Sequence, residues 1–553
     1  RPGFVKPPVP RLGEATVAEL VAELENPNSW WRETAHRLLF ERQDSSAAPG
    51  LRRLLRDSES PQARLHALWS LEGLQVLADA DLRTAMADAD PHLREHAIRL
   101  IERRLGENAE WLPQVVAAAA DEDARVRFQA AFTLGEVNDP RATSALATLV
   151  RRDAADALLR TAVLSSVSHS TVAFLMDLLQ DQAFAETAPG LDMVSQLAFI
   201  VGARNVEEDI DRVLQQTAKQ KRSVQRAIVG QLGAGLRRAK RDLSELAADD
   251  SRSGGRLVAN LLDEAQQLAG DTAGALQQRL QAIELLNYQR FELAEGVLGK
   301  LLNIQEPPEI QLAAIRALTA SGRADIAAML LDKYPTLTPG VQAEVVDQLL
   351  RRADWVPAVF DAMLAGVVPA SRVSESRRSV YLQSGTEAIR QRAEKLFSAD
   401  APGPRKDVLD EYQPALTLTG DSARGEQVFQ KNCANCHRFG NQGIDVGPSL
   451  ATVQNRSASQ LLVNILDPSS EVSPDFLEYI VLSLDGQIAT GVIVAENASS
   501  ITLRQAEAKE LTILREDIEE MRSSGKSLMP EGLEKVISPQ QMADLLAYLL
   551  PAK

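Results

Sequence analysis

The chain has 553 residues, of which 45% are hydrophobic and 4% aromatic, and its 76 acidic and 60 basic residues give a net charge of −16. This length exceeds what one ordinary hydrophobic core supports, so we expect two or more folding units. The negative charge argues against a nucleic acid or an anionic membrane as a partner. No apolar run reaches the roughly 18 residues of a membrane span, so no transmembrane segment is predicted.

The chain opens on a proline-rich stretch. Residues 1–14 contain four prolines, which predicts an extended arm. The first residue is Arg1 rather than a methionine, and no apolar leader follows it. We therefore expect that any export signal has been removed or lies upstream.

Residues 15–397 read as one helix after another, and the helices repeat. Alanines mark the repeat in steps of 32, 30, 33 and 32 residues, at Ala35, Ala67, Ala97, Ala130 and Ala162. Arginines stand three residues before the first four of them, at Arg32, Arg64, Arg94 and Arg127. We expect these arginines to pair with acidic turn residues such as Asp90 or Asp123. The pattern resembles HEAT repeats, two-helix units that stack into an α-solenoid.

Three histidines within this solenoid could be considered as ligands, but their positions favour a structural role. His36, His66 and His96 each fall within one turn after a repeat arginine. A residue type that recurs in the same turn of successive repeats is typical of helix packing. We therefore interpret all three as packing or capping residues.

Residues 398–418 are interpreted as a linker, and 419–553 as a second domain that folds on its own because few contacts cross a linker. This domain holds both cysteines of the chain, in Cys433-Ala-Asn-Cys436-His437. Cys-x-x-Cys-His is the spacing for covalent attachment of a c-type haem. The two thiols add to the two vinyl groups of the porphyrin, and the histidine becomes the proximal iron ligand.

Three other interpretations of the two cysteines remain open. A thioredoxin-like redox pair would lie in a βαβ context, which does not follow here. A structural zinc site needs four ligands, and the other five histidines all lie more than 260 residues upstream. A plain disulfide is the third.

The segments around the motif are typical of class I cytochromes c. Asp421 is predicted to cap a helix through Gly425 and Phe429, and Gly425 would let a second helix cross closely. Ser538, followed by Pro539 and Gln541, is predicted to begin that second helix.

A second motif follows the attachment site. In cytochromes c, Gly-Pro-x-Leu, here residues 447–450, places the proline carbonyl against the proximal imidazole. We therefore expect Pro448 and Leu450, together with Phe429, to contribute to the haem pocket.

A β insert and a methionine complete the domain. Alternating apolar residues over about 477–515 predict a small antiparallel sheet with strands near 478–484, 487–494, 501–504 and 511–514. Met529-Pro530 lies where class I cytochromes supply the thioether ligand. Met529 is therefore predicted as the distal iron ligand, with Met521 and Met542 as competitors.

The run from Gly420 to Leu549 resembles the haem-binding domain family of planctomycetes and verrucomicrobia. The resemblance rests on the attachment motif, Gly-Pro-x-Leu, Ile-Leu-Asp-Pro at 465–468, Asp-Gly…Thr-Gly at 485–491 and Ser-Leu-Met-Pro-Glu-Gly-Leu at 527–533. It implies HEAT repeats before the domain, and often a β-propeller resembling sugar dehydrogenases before those. No propeller lies within these 553 residues, so dehydrogenase activity would belong to a domain outside them.

We therefore expect a mainly α protein, a HEAT-like solenoid followed by a class I-like cytochrome c domain with a small inserted sheet. The predicted function is electron transfer through one covalent haem c with His437 and Met529 as axial ligands. The alternatives are a haem enzyme, or the electron-relay part of a sugar-dehydrogenase-like protein, and an interaction scaffold with a structural or sensory haem. The expected partner is a redox protein or an upstream dehydrogenase domain. The expected location is the periplasm or another exported compartment, where haem is attached covalently.

Overall fold

The computed structural model describes residues 11–106, 109–249, 251–383, 386–397, 405–470, 472–505 and 508–550. The chain is mainly helical and divides into two compact units, Arg1–Val258 and Ala259–Lys553. The predicted fold class, a helical array followed by a helical domain with a small antiparallel sheet, is confirmed. Among the described residues, no helix combines the length and the apolar character needed to cross a membrane.

The first unit consists of short antiparallel helices. Their bounds are α1 Val17–Glu23, α2 Ser29–Arg42, α3 Ala48–Asp57, α4 Pro61–Gly73, α5 Asp79–Met86, α6 Pro91–Glu102, α7 Leu112–Ala118, α8 Ala124–Gly135, α9 Pro140–Asp153, α10 Ala157–Ser166, α11 Thr171–Leu178, α12 Gln182–Glu186, α13 Ala188–Arg204, α14 Glu207–Thr217, α15 Arg222–Arg238 and α16 Leu243–Ala247. Helix α17, Ser253–Gly270, contains the division between the units. Of the predicted arm, residues 1–10 lie outside the described residues, and Leu12–Glu14 form a 3₁₀ turn.

The second unit continues the helical array and then changes character. Its helices are α18 Leu276–Leu286, α19 Phe291–Lys300, α20 Pro308–Ala320, α21 Asp325–Lys333, α22 Pro339–Leu349, α23 Val356–Leu364, α24 Glu375–Gln383, α25 Glu387–Phe397, α26 Lys406–Tyr412, α27 Ser422–Asn432, α28 Ala458–Leu466 and α29 Pro539–Leu549. Its strands are β1 Leu477–Ser483, β2 Ile488–Glu496, β3 Ser500–Arg504, β4 Glu510–Leu514 and β5 Ile518–Ser527. They form one antiparallel sheet in the order β4-β3-β2-β1-β5.

Three of the four repeat arginines tie their repeat to the next one, whereas Arg32 donates to carbonyls of the turn before its own helix. Arg94 binds both carboxylate oxygens of Asp121 at 2.8 Å and also donates to the Asp88 carbonyl at 2.9 Å. The expectation that Asp90 or Asp123 would be such a partner is wrong. The Asp90 side chain instead accepts from the backbone N–H of His92 and caps α6, and Asp123 caps α8 in the same way. A cap must lie beside the first turn, whereas the arginine reaches the turn of the following repeat.

The solenoid histidines pack between helices, as predicted. His36 lies 3.0 Å from the Ser70 hydroxyl, and its ring lies 5.3 Å from that of His66. His96 accepts from the indole N–H of Trp69 at 3.1 Å. Each contact joins neighbouring repeats, so these side chains stabilise the stack.

The segment predicted as a linker takes part in the core of the C-terminal helices. Residues 398–404 lie outside the described residues, but α26 begins at Lys406. Tyr412 is buried in the cluster that α27, α28 and α29 form, and its hydroxyl donates to the Ile537 carbonyl at 2.6 Å. Helix α26 therefore covers the core that it precedes.

The sheet packs against the last repeats of the solenoid, within the second unit. Arg515 is 1% exposed and donates to the Ile304 carbonyl at 2.8 Å. The Tyr479 hydroxyl donates to the Leu337 carbonyl at 3.2 Å, and Ile304 joins the apolar core of the sheet. The expectation of few contacts across the linker is therefore wrong. The domain boundaries stay predictions.

Candidate functional site

The attachment motif begins where α27 ends. The Asp421 side chain accepts from the Arg424 N–H at 2.9 Å and caps the helix as predicted. After the helix, the N–H groups of Cys436 and His437 both donate to the Cys433 carbonyl, at 3.0 and 2.9 Å. This tight turn brings all three side chains of the motif to one cavity.

The His437 imidazole is held from one side. Its Nδ1 donates to the Pro448 carbonyl at 2.8 Å, as predicted from Gly-Pro-x-Leu. This bond fixes the tautomer and leaves Nε2 with a free lone pair. Burial lowers the pKa of His437, which favours the neutral ring that binds a metal.

Two glycines make room for His437, one at its ring and one at its main chain. A Cβ on Gly447 would lie 2.5 Å from Cε1 of His437, so a side chain there would displace the imidazole. Gly443 adopts φ +83°, and a Cβ there would overlap the His437 carbonyl oxygen. A side chain at Gly443 would therefore displace the backbone that carries the ring, so both glycines belong to the site.

Helices α27 and α29 cross where the sequence predicts. A Cβ on Gly425 would overlap the carbonyl oxygen of Asp544, so only glycine permits this approach. The Asp544 carboxylate, 2% exposed, is bound by the Arg424 guanidinium at 2.8 and 2.9 Å. This bond holds the pKa of Asp544 below its usual range. This ion pair holds α27 and α29 together at their crossing. The sequence analysis did not predict it.

An aromatic cluster lies beside the crossing. The Phe429 ring lies 5.8 Å from the ring of Tyr548 and 6.1 Å from that of Phe439. Phe429 is fully buried in the core. It therefore does not line the cavity, although the sequence predicts that it contributes to the haem pocket. Its ring instead supports α27 from the core behind the attachment motif.

The cavity itself has a volume of about 350 Å³ and is lined mainly by apolar side chains. The predicted site residues among its walls are Cys433, Cys436, His437, Pro448, Leu450 and Met529. Residues of α28, β2, the Met529 loop and α29 complete the lining. The structure thus brings together six of the seven predicted site residues, and Phe429 is the exception.

Met529 reaches the cavity from the loop after β5. Its N–H donates to the Ser527 hydroxyl at 3.1 Å, and the Leu528 N–H donates to the Phe476 carbonyl at 3.4 Å. The Ser527 N–H in turn donates to the Ser469 hydroxyl at 3.4 Å. These bonds tie the loop to the 3₁₀ turn just before β1 and to the turn after α28. The sequence analysis did not predict the hydrogen bonds of Ser527 and Ser469. The position of Ser527 in the Ser-Leu-Met-Pro motif, two residues before Met529, could have indicated a role in holding the loop.

The competing methionines lie elsewhere. Met521 is 1% exposed in the core of the sheet, and Met542 is fully buried in α29. Among the described residues that line the cavity, Met529 is the one methionine. The geometry therefore favours Met529 over both.

The donor set of this cavity fits haem c. Both thiols are free, and burial raises the pKa of Cys433 to about 12. A closed zinc site finds no support, since the described residues contain no group of three or more Cys, His, Asp or Glu placed to hold a metal ion. Two thiols, one imidazole nitrogen and one thioether around an apolar cavity are the groups that a covalently bound haem requires.

Sequence reasoning missed several polar groups at the rim. Asn432, Thr452, Arg456 and Asn464 all line the cavity. Asn432 directly precedes the attachment motif, and the other three lie between residues 452 and 464. No motif singles them out, and the fold decides that their side chains face the cavity.

Comparisons with known proteins agree with both halves of this description. Residues 80–168 match the family model for HEAT repeats, and residues 422–472 match the model for cytochrome c. A cytochrome c-553-like protein of Synechocystis sp. is 40% identical over 62 residues, which cover 11% of this chain and 58% of that protein. The cytochrome match ends ahead of β1, where the predicted insert begins.

Crystal structures of Kap121p are among the solved structures that align with this chain. The crystal structure of Kap121p aligns over 72% of this chain and 47% of that one, with 13% identity and a TM-score of 0.41. Kap121p bound to Pho4p aligns over 87% and 60%, again with 13% identity and a TM-score of 0.41. The chain thus spans a little over half of the curated relative and about half of free Kap121p. It contains HEAT repeats and, in its C-terminal part, a cytochrome c domain.

Proposed function

We propose that this protein transfers electrons through a single haem c held by the cytochrome domain. The observation that carries the proposal is the arrangement of His437, with Nδ1 bound to the Pro448 carbonyl and Nε2 free, in one cavity with Met529 and both thiols. Haem bound there supplies reversible one-electron exchange at iron.

Each residue has a distinct task in this proposal. Cys433 and Cys436 hold the porphyrin through thioether bonds, each formed when a thiol adds S–H across a vinyl C=C. His437 is the proximal ligand, oriented by Pro448. Met529 would supply the second protein ligand to iron, which would favour the reduced state and leave no open site for oxygen or peroxide. This closure favours a carrier over a haem enzyme.

The rest of the chain constrains the partner and the location. Residues 411–553 carry 11 basic and 19 acidic side chains, so a redox partner needs a basic or neutral face. The solenoid serves as the scaffold or as a docking surface for that partner. Covalent attachment of haem belongs to an exported compartment, and the periplasm is the proposed location.

Covalent attachment is the first test. Protein produced in a host that matures c-type cytochromes should keep its haem on a denaturing gel, because thioether bonds survive unfolding. The double variant Cys433→Ala/Cys436→Ala should lose the haem stain, whereas Met529→Ala should keep it. Haem that extracts from the wild type into acidified ketone would contradict the proposal.

A further inference from the structure

The turn of the β1–β2 hairpin and the adjacent strands expose large apolar side chains. Ile480 is 42% exposed, Leu484 62% and Ile488 70%. We call these residues, with Leu482, the hairpin patch. Clustered exposed apolar side chains on a folded protein mark interaction sites, whereas scattered ones do not.

The strand register places this patch on one face of the sheet. Ile480 pairs with Thr490 and Leu482 pairs with Ile488, so these side chains are cross-strand neighbours about 5 Å apart. The alternate residues of β1 point the other way. Tyr479 is fully buried on that face and donates to the Leu337 carbonyl of the solenoid. The sheet thus packs on the solenoid with one face and presents the hairpin patch on the other.

The same outward face reaches the haem cavity. Val492 lies two residues beyond Thr490 on β2, about 7 Å along the strand, and lines the cavity. Arg504 pairs with Val492 and donates to the Asp445 carbonyl, in the loop after the attachment motif, at 3.1 Å. The face therefore covers the cytochrome domain at Val492 and runs outward to the hairpin patch. A partner seated on the patch would lie beside the cavity wall.

Carboxylates surround the patch. Glu478 and Glu520 occupy the same face of β1 and β5, and Asp485 lies in the hairpin turn next to Leu484. The cations Arg522 and Arg504 share this face: Arg522 lies opposite Ile480, and Arg504 lies farther along, beside Val492 at the cavity. Residues 411–553 carry an excess of eight acidic side chains over basic ones, so the field around the patch is negative. An apolar centre with an acidic rim is complementary to an apolar centre with a basic rim.

We propose that the hairpin patch is the docking surface for a redox protein whose own face carries lysine or arginine around an apolar centre. The inference rests on the proposed electron transfer and names the partner class of that site. The inserted sheet then has a function that a minimal cytochrome domain lacks. It extends the wall of the cavity into a surface that a second protein recognises.

The test measures, by stopped-flow spectroscopy, the rate at which each of two oxidants takes electrons from the 553-residue haem-loaded chain. One oxidant is a lysine-rich class I cytochrome c and the other is the small complex pentaammine(pyridine)ruthenium(III), a stronger oxidant than the hexaammine. The double variant Ile480→Ser/Ile488→Ser should lower the second-order rate constant with the basic cytochrome by about tenfold, the loss expected for central interface residues. The rate with the ruthenium complex should stay unchanged. Leu158→Ser in α10, where the leucine is 71% exposed, is the matched control and should change neither rate.

Charge supplies a second variant. Glu520→Gln should lower the rate with the basic cytochrome at low salt and reduce its dependence on ionic strength. A patch variant that keeps the wild-type rate with the basic cytochrome would overturn the docking proposal. So would a dimer of this chain, seen by gel filtration, that the same two serines dissociate. A wild type that exchanges no electrons even with the ruthenium complex would contradict electron transfer itself, and the docking proposal with it.

Discussion

A single residue, His437, illustrates how local contacts prepare the site. The Pro448 carbonyl accepts a hydrogen bond from one ring nitrogen, the missing side chain of Gly447 leaves room for the ring, and that of Gly443 leaves room for the His437 carbonyl. Among the described residues, Nε2 of His437 has no hydrogen-bond partner, so its lone pair is available to iron. An imidazole oriented in this way loses little freedom when it binds metal, which increases its affinity.

Met529 is the residue that decides between a carrier and an enzyme. Met529→Ala should abolish the weak far-red sulfur-to-iron absorption band of ferric His/Met haem, because alanine offers iron no ligand. The reduction potential should fall, and the ferrous protein should bind CO at the vacated position. Absorption spectroscopy, redox titration and CO difference spectra measure the three effects.

The two other methionines of the domain provide matched controls. Met521→Leu and Met542→Leu conserve apolar volume in the sheet core and in α29, so the far-red band should remain. Loss of the band in the Met521 variant alone would transfer the ligand assignment to that residue. A wild type that has no such band and binds CO at once would favour the enzyme alternative.

At the scale of elements, the crossing of α27 and α29 and the strand β5 set the two sides of the cavity. The crossing fixes where α27 ends and hence where Cys433 lies. Strand β5 ends at Ser527, two residues before Met529, and pairs with β1 along its length. The two proposed iron ligands, His437 and Met529, therefore depend on different elements, one helical and one in the sheet.

The helix crossing makes a stability prediction. Gly425→Ala places a methyl group against the backbone carbonyl of Asp544, which cannot move without displacing α29. We expect the free energy of unfolding to fall by roughly 1–3 kcal/mol, the usual cost of overpacking. Thermal and urea denaturation of the haem-loaded chain measure it.

A second helical glycine serves as the control. A Cβ on Gly296 of α19 would meet no atom within 4 Å. Gly296→Ala should therefore stabilise the protein by about 0.5–1 kcal/mol, since alanine loses less backbone entropy than glycine in a helix. Equal effects of the two substitutions would mean that the close approach at Gly425 does not constrain the crossing.

At the scale of the whole molecule, the sheet of the cytochrome domain packs on the last solenoid repeats through buried hydrogen bonds and a common apolar core. Arg515 and Tyr479 donate to solenoid carbonyls, and the apolar core of the sheet includes Ile304. Buried donors of this kind lose their partners when the solenoid is removed, and an unpaired buried donor is costly. The loop that carries Met529 follows the sheet directly, so its position depends on this docking.

Fragments test this dependence. We expect residues 259–553 to unfold cooperatively near the temperature of the full chain, because they form one compact unit. Residues 419–553 should melt at a lower temperature and bind a hydrophobic dye, since they expose the sheet face that contains Tyr479 and lack Tyr412 of α26. Residues 405–553 restore α26 and should lie between the two. Equal melting temperatures for 259–553 and 419–553 would restore the prediction of an independently folding domain.

Local chemistry allowed much of the site to be predicted. The spacing of Cys433, Cys436 and His437, the cap residues Asp421 and Ser538, and the close approach at Gly425 depend on neighbouring residues or on one helix contact, which sequence patterns record. Strands β1 to β4 were predicted for the same reason, since they alternate apolar residues within short runs. Strand β5, which reads Ile-Glu-Glu-Met-Arg-Ser-Ser-Gly-Lys-Ser, has too few apolar residues to be recognised in this way.

The sequence by itself determined which groups are available to bind haem, because the motif residues and their order are covalent facts of the chain. Only the tertiary structure decided that Phe429 lies behind the cavity, that Asp88 and Asp121 rather than Asp90 bind the repeat arginines, and that the sheet packs on the solenoid. These contacts join residues from about 25 to more than 200 positions apart. No local pattern encodes such pairs, since they form when burial of apolar surface brings distant segments together.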